Sequence, residues 1–434
     1  MIATTRARLR VLLPRNIPGG GFGSRFALIL SGELVQALFH FVLNIVLVRV
    51  LSQADYGLFA MVFVCGAVGI TYIRAVVAVP ATMFIAPCHG RPAARAYDSL
   101  FGTGAVALSL ASGGLAAACL VPALGAAGLA AGAFIGLYMF RSYLRIVLLA
   151  CKAPRIAGLS DLVYAAIGLF SLSVSVYAAP SVSLAQAFMA LALGHACGIA
   201  ISYVALRRPL RLTLRASLWR RYRAVWRKLA WSLTGVTTNT LQGQGMTLAF
   251  ALLVGPARFA PIAATLVLFA PLRIPTNALT NMVLAEVTEL LAKGQAAQAS
   301  RIVMRSTAII AAGCLAYGAA MLLALPMIER HLFKGRFDHE PMHWIAAGVF
   351  AAMLVSLLYA IPRAYLEACG AFRTIAWGSA SAFLIGACIM IPVLLTMPSA
   401  FALLGLIASE AYILFWLGRA FRRIAASRGM AGRA

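Results

Sequence analysis

Residues 339–343 read His-Glu-Pro-Met-His, the His-Glu-x-x-His pattern in which two imidazoles hold zinc and the glutamate activates a water. That chemistry needs both histidines on one face of an unbroken helix, with a third ligand elsewhere. Pro341 lies between them and is tolerated only in a helix's first turn, and His331 is the one other imidazole near in sequence. His339, Glu340 and His343 therefore read as a polar loop, with neither metal nor proteolysis expected. The other residues able to do chemistry are isolated charges in apolar surroundings: Glu33, Arg74, Asp161, Arg273 and Glu410. Each costs about 2.5–3.5 kcal/mol in hydrocarbon and so needs a partner or a polar cavity. A guanidinium binds phosphate bidentately, so Arg74 and Arg273, facing each other across a cleft, form the candidate site for a phosphorylated headgroup. The plainer alternative lets Arg74 snorkel to the interface and gives Arg273 a carbonyl beside Pro271 and Pro275. Glu33, Asp161 and Glu410 are the candidate ion-coupling groups.

The elements that must position these residues are transmembrane helices. The chain of 434 residues is 62% hydrophobic and only 11% charged, which a soluble chain of this length would not be. About twelve apolar runs are long enough to cross roughly 30 Å of hydrocarbon as helices. They lie near 26–49, 57–80, 99–121, 124–147, 157–179, 184–206, 229–253, 259–285, 303–326, 343–362, 373–396 and 400–420. The runs are continuous rather than alternating, so a β-barrel is excluded. With both termini cytoplasmic, the outer loops hold only Arg258, Arg330, Lys334 and Arg336, and the spans Arg49, Arg74 and Arg273, of the 37 Lys and Arg residues. That asymmetry fixes the orientation. The net charge of +26 is then a topology signal and a grip on anionic lipid, and no nucleic-acid partner is expected. The eight cysteines are scattered without a CxxC pair, so neither a disulfide framework nor a metal cluster is expected.

The chain divides into a basic N-terminal segment (1–25), an N-lobe of six spans (26–206), an amphipathic cytoplasmic linker helix (207–228), a C-lobe of six spans (229–420) and a basic tail (421–434). Two stretches mark the lobes as repeats. "RSYLR" at Arg141–Arg145 with "ACKAPR" at Ala150–Arg155 echoes "RAYLE" at Arg363–Glu367 with "ACGAFR" at Ala368–Arg373. A fainter echo joins "ADYGLFA" at Ala54–Ala60 to "ARFAPIA" at Ala257–Ala263. Spans two and eight are then equivalent, and each carries one deep arginine, roughly 20–27 Å below the outer surface at 1.5 Å per residue. Parallel repeats of this kind build transporters with a site between two lobes. Gly128, Gly132 and Gly136 on span four, and Gly194 and Gly198 on span six, form ridges for close helix packing.

"LNIVLVRVLSQADYGLFAMVF", residues 43–63, carries a family resemblance. It is similar to the polysaccharide-biosynthesis flippases (Wzx-like O-antigen and exopolysaccharide translocases) of the multidrug/oligosaccharidyl-lipid/polysaccharide exporter superfamily. Asn44, Arg49, Leu51, Asp55, Tyr56 and Gly57 match that family's motif from the end of helix one into helix two. "YLEACGAFR" at 365–373 resembles its helix ten to eleven junction. The resemblance implies two pseudo-symmetric six-helix lobes of the MATE-like kind, in the bacterial inner membrane. It implies a flippase that carries a polyprenyl-pyrophosphate-linked oligosaccharide to the periplasmic leaflet by alternating access. Its partners would be membrane lipids, that lipid-linked substrate, and a polysaccharide polymerase or other pathway proteins. A multidrug or cation antiporter of the same fold is the alternative, although its cavity would favour acidic residues where the deep charges here lean basic. No GxxxxGK[ST] phosphate loop and no convincing catalytic pair occur, so neither an enzyme nor a cofactor is expected.

Overall fold

The computed structural model describes residues 22–85, 92–151, 153–178, 182–206, 212–213 and 215–431, so the N-terminal segment up to residue 21 and part of the linker lie outside the described residues. Every regular element among them is helical, and they form twelve rods. In the N-lobe these are α1 (Phe22–Val50), α2 (53–85), α3 (Pro92–Leu124), α4 (Ala126–Ala150), α5 (Pro154–Ala178) and α6 (Leu184–Leu206). In the C-lobe they are α7 (216–254), α8 (256–292), α9 (Ala296–His331), α10 (342–368), α11 (Phe372–Thr396) and α12 (Leu403–Ala431). Eleven helices are long and apolar enough to cross a membrane among the described residues. The remaining rod is α7, whose first half is the basic stretch "ASLWRRYRAVWRKLAW".

Within the N-lobe, α3 packs on α4, α5 on α6, and α6 on α4; in the C-lobe, α11 packs on α12 and α10 lies against α12 and α8. The lobes meet where α2 and α1 touch α8 and α2 touches α7. Small residues permit the tightest of these approaches. A Cβ added at Gly132 of α4 would stand 2.5 Å from the Gly113 carbonyl of α3, and one at Gly194 of α6 would stand 2.8 Å from the Tyr164 carbonyl of α5. Both lie on the glycine ridges expected from spacing.

The described part of the linker segment is helical and runs on without a break into the seventh rod, from Ala216 to Thr240. Tyr222 anchors its start, donating to the Val76 carbonyl of α2 at 2.8 Å and setting its ring edge-on to Phe101 of α3. Nothing in that sequence breaks a helix, so continuing the backbone ladder satisfies every amide that a turn would leave unpaired.

Four rods depart from α geometry. In α2 a π turn spans Arg74–Ala78. In α7 a π turn spans Leu241–Gly245. In α8 a 3₁₀ turn at Ala270–Leu272 contains Pro271, which lacks an amide hydrogen to continue the ladder, and Arg273 follows it directly. In α10 the helix breaks at Tyr359. Such interruptions collect at functional sites because they redirect side chains and release carbonyls. The two rods that carry the deep arginines are thus both interrupted at the arginine.

Candidate functional site

In the C-lobe the interruptions of α8 and α10 converge on α12. Glu410 of α12 is 8% exposed. Tyr359, at the α10 break, donates to its Oε2 at 2.9 Å. Gln242, on the π turn of α7 and buried, also acts on this carboxylate, as does Arg273. The electrostatic neighbours of Arg273 are Glu410 and Tyr359, and Arg74 is not among them. Arg273 keeps an exposed side-chain surface although the groups that act on it, Glu410 and Tyr359, are buried. It forms no hydrogen bond or ion pair among the described residues, so the carbonyl partner beside Pro271 and Pro275 is not made. Arg74 is likewise exposed and likewise unpaired. One helical turn below Tyr359, Arg363 donates from Nε to Glu367 at 2.9 Å and from Nη1 to Asn239 of α7.

The N-lobe charges are arranged in the opposite way. Asp161 of α5 is 1% exposed, yet both its oxygens are taken. Arg141 donates to Oδ1 at 2.7 Å, Gln36 of α1 to the same oxygen at 2.6 Å, and Arg145 to Oδ2 at 3.0 Å. Arg145 continues to Glu33 of α1 at 2.9 Å. Arg141 also donates from Nε to His195 Nδ1 of α6 at 3.0 Å, and its guanidinium carbon lies 4.1 Å over the Tyr164 ring. The two arginines sit four residues apart on α4 and so share one face. Glu33 and Asp161, unconnected in sequence, are therefore one network, held from α1, α4, α5 and α6.

At the junction of α1 and α2, the motif residues of the first turn close a seam between the lobes. Arg49, in the last turn of α1, donates from Nε to the Leu332 carbonyl at 2.8 Å and from Nη2 to the His331 carbonyl at 2.7 Å, at the end of α9. Arg336 returns the contact by donating to the Leu51 carbonyl. Gln53 donates to the Ala257 carbonyl at 3.1 Å. Ser52 and Asp55 cap each other at the start of α2, and Tyr56 donates to Asn44 at 3.1 Å. Gly57 leaves room for the carbonyl of Pro256, which a Cβ would meet at 1.8 Å. Arg49, the Leu51 carbonyl and Gly57 thus make contacts from one lobe to the other, while Asn44, Asp55 and Tyr56 bond within the first turn. In the adjoining loop, α10 begins only at Met342, so His339 and Glu340 lie in turns before it and do not share a continuous helix with His343.

Sequence reasoning found the acids but missed what holds them. Arg141, Arg145, Gln36 and His195, and in the C-lobe Tyr359, Gln242 and Asn239, were not among the candidates. A signal existed for two of them: Arg141 and Arg145 fall inside the fourth apolar run at helical spacing, where they belong to the span rather than to the cytoplasmic edge.

No protein-family model matches the chain, and no curated protein matches it. Solved structures do. An inward-facing multidrug resistance MATE family transporter of the MOP superfamily is similar with a TM-score of 0.69 at 12% identity, over 91% of this chain and 96% of that one. An outward-facing multidrug resistance MATE family transporter of the MOP superfamily gives 0.58 at 11% identity, over 93% and 95%. A MOP superfamily transporter from Pyrococcus furiosus, described by a binding pocket of reversed polarity, gives 0.59 at 14%, over 93% and 95%. The chain has the all-helical, two-lobed fold of the MATE transporters of the MOP superfamily.

Proposed function

We propose that this protein is a flippase that moves a polyprenyl-pyrophosphate-linked oligosaccharide from the cytoplasmic to the periplasmic leaflet of a bacterial inner membrane, for surface polysaccharide synthesis. The observation that carries the reading is the pair of equivalent rods, α2 and α8, each interrupted at an arginine that lacks a partner. The arginines of the N-lobe network, of the seam and of the second part of α10, by contrast, are engaged: Arg141, Arg145, Arg49, Arg336 and Arg363. A cation left unpaired in a membrane protein needs an anion at some point in the working cycle, and a diphosphate offers guanidinium the geometry it binds best. Arg273 is the primary contact, and Arg74 is the second, supplied from the other lobe. The lipid tail stays in the bilayer while the lobes rock about the site. The seam built on Arg49, Arg336 and Gly57 is the closed periplasmic gate, and the greater likeness to an inward-facing neighbour agrees with that state. Polymerase and other pathway proteins would receive the product outside.

The multidrug reading has its own support, since two of the similar structures are described as multidrug transporters. The same fold also houses the pocket of reversed polarity, so the fold leaves the sign of the cargo open, and the arginines favour an anion. The test is complementation of a flippase-deficient, polysaccharide-producing host. Arg273→Ala is expected to abolish surface polymer at unchanged protein level, Arg74→Ala to reduce it strongly, and Lys at either position to restore part. Normal polymer from the double alanine variant overturns the reading.

A further inference from the structure

Among the described residues Glu410 is the carboxylate that acts on Arg273, in a cluster where Tyr359 bonds Glu410 at 2.9 Å, yet the two do not form an ion pair. The N-lobe shows what a committed pair looks like in this protein. There Asp161 receives three donors and Arg141 is fixed by an imidazole and a tyrosine ring as well. Arg273 has no such fixation. It follows a 3₁₀ turn at the start of a new helical segment, and that segment packs on the second part of α10, which packs on α12. Glu410 for its part is held by Tyr359 through one oxygen. The cation thus lies near an acid with which it is not paired and keeps surface open to an incoming anion.

From this arrangement we infer that Glu410 is the internal substitute for the cargo's phosphate: it comes to pair with Arg273 as the empty carrier closes for its return step, and leaves the arginine to the cargo when a phosphate anion occupies the open state. This rests on the phosphate reading above and deepens it. The reason is electrostatic. A carrier must return empty, and closing its lobes around a bare guanidinium would bury an uncompensated charge. An acid carried on the neighbouring helix neutralises that charge for the return step. Because the same arginine cannot serve both anions fully, Glu410 must weaken phosphate binding as it helps release the cargo. Glu410 is therefore a positioning residue, acting on cargo through Arg273. The groups facing it are Tyr359 from α10, Gln242 from α7 and Arg273 from α8. On protonation it ceases to compete, so anion affinity rises as pH falls.

The experiment uses the purified full chain in detergent and measures binding of inorganic pyrophosphate by titration calorimetry across pH. Glu410→Gln keeps the volume and an acceptor for Tyr359, and an unchanged melting temperature confirms that it folds. It is expected to bind pyrophosphate about 10-fold more tightly than the parent at neutral pH, within the range usual for coupled sites. It is also expected to lose the pH dependence that the parent shows beyond the protonation of pyrophosphate itself, and to support slower turnover in cells. Glu410→Asp is expected to behave as the parent, and Glu410→Gln is expected to have no effect on affinity in an Arg273→Gln background. If the parent binds pyrophosphate and Glu410→Gln binds it equally or less well, the substitution role is wrong while the flippase reading stands. If the parent binds no pyrophosphate but binds tetraphenylphosphonium, and Glu410→Gln removes that binding, both the phosphate reading and this inference fall.

Discussion

The polar interiors of the two lobes are built from similar parts and finished differently. In the N-lobe, α1, α4, α5 and α6 run unbroken through the network, and every charge in it meets a partner: Asp161 with Arg141 and Arg145, and Arg145 with Glu33. In the C-lobe, α7, α8 and α10 are interrupted, and Arg273 and Glu410 lie near each other without pairing. Arg141 and Arg363 stand at equivalent positions of the sequence repeat, and each reaches an acid and an amide: Arg141 finds Asp161, which Gln36 also holds, and Arg363 finds Glu367 and Asn239. An arginine thus serves as a structural pin at both of these positions. What diverged is the layer beyond it, which is saturated in one lobe and left with spare charge in the other. A saturated network resists rearrangement, because each bond broken exposes a buried charge. An unsaturated one can take a ligand without first giving up a bond.

The largest effect expected from this contrast is on stability. Asp161→Ala leaves Arg141 buried without a carboxylate, and Arg145 with Glu33 alone, and should cost about 3–5 kcal/mol, as removal of one partner of a buried pair does. Glu410→Ala removes an acid that no cation pairs with and leaves chiefly the Tyr359 hydroxyl unsatisfied, for about 1–3 kcal/mol. Thermal or denaturant unfolding of the purified variants should rank them in that order. Equal losses would erase the distinction between the lobes. The second variant Arg141→Met/Asp161→Leu sharpens it, because removing both charges together should recover much of the loss.

A smaller effect is expected at the seam that joins the lobes. Arg49→Ala deletes two charged-donor hydrogen bonds to the end of α9. Since the site is exposed, about 1.5 kcal/mol of the closed state should go, which is roughly a tenfold shift toward an open far face. Spin labels at Ala54 and Lys334, both exposed, would read the shift as a longer distance population. An unchanged distribution would show that Arg336 and Gln53 hold the seam alone.

The two-lobed helical fold is legible because the hydrophobic runs are long and the positive charges segregate, both of which are one-dimensional signals. The glycine ridges were legible for the same reason, since spacing along one helix fixes the face that a neighbour approaches. The candidate site was legible only in its charges. Glu33, Asp161 and Glu410 were noticed as acids in oil, but their partners come from rods distant in sequence, and nothing along the chain joins Gln36 to Asp161 or Tyr359 to Glu410. Counting Arg141 and Arg145 as cytoplasmic-edge residues concealed the network, because arginines near a span end are usually free to snorkel. The interruptions of α7 and α10 were invisible too. Leu241–Gly245 holds two glycines yet still reads as helix, and Tyr359 carries no breaker signal at all.

The smallest effect separates structure from coupling within the N-lobe itself. Glu33 touches the same network as Asp161, but its side chain is 48% exposed, and it meets Arg145 at the edge. An ion pair so open to solvent contributes about 0.2–1 kcal/mol. Glu33→Gln should therefore leave the melting temperature nearly unchanged, and Arg145 keeps Asp161 as its partner. If the N-lobe is only a structural pin, polymer export should also be nearly normal in that variant across the pH range of growth. A stable Glu33→Gln protein that cannot export, or exports with a displaced pH profile, would mean the N-lobe takes part in ion coupling after all. In that case Arg145 would be the shared cation through which Glu33 acts on Asp161, and the contrast between a saturated and a responsive lobe would have to be redrawn along α1.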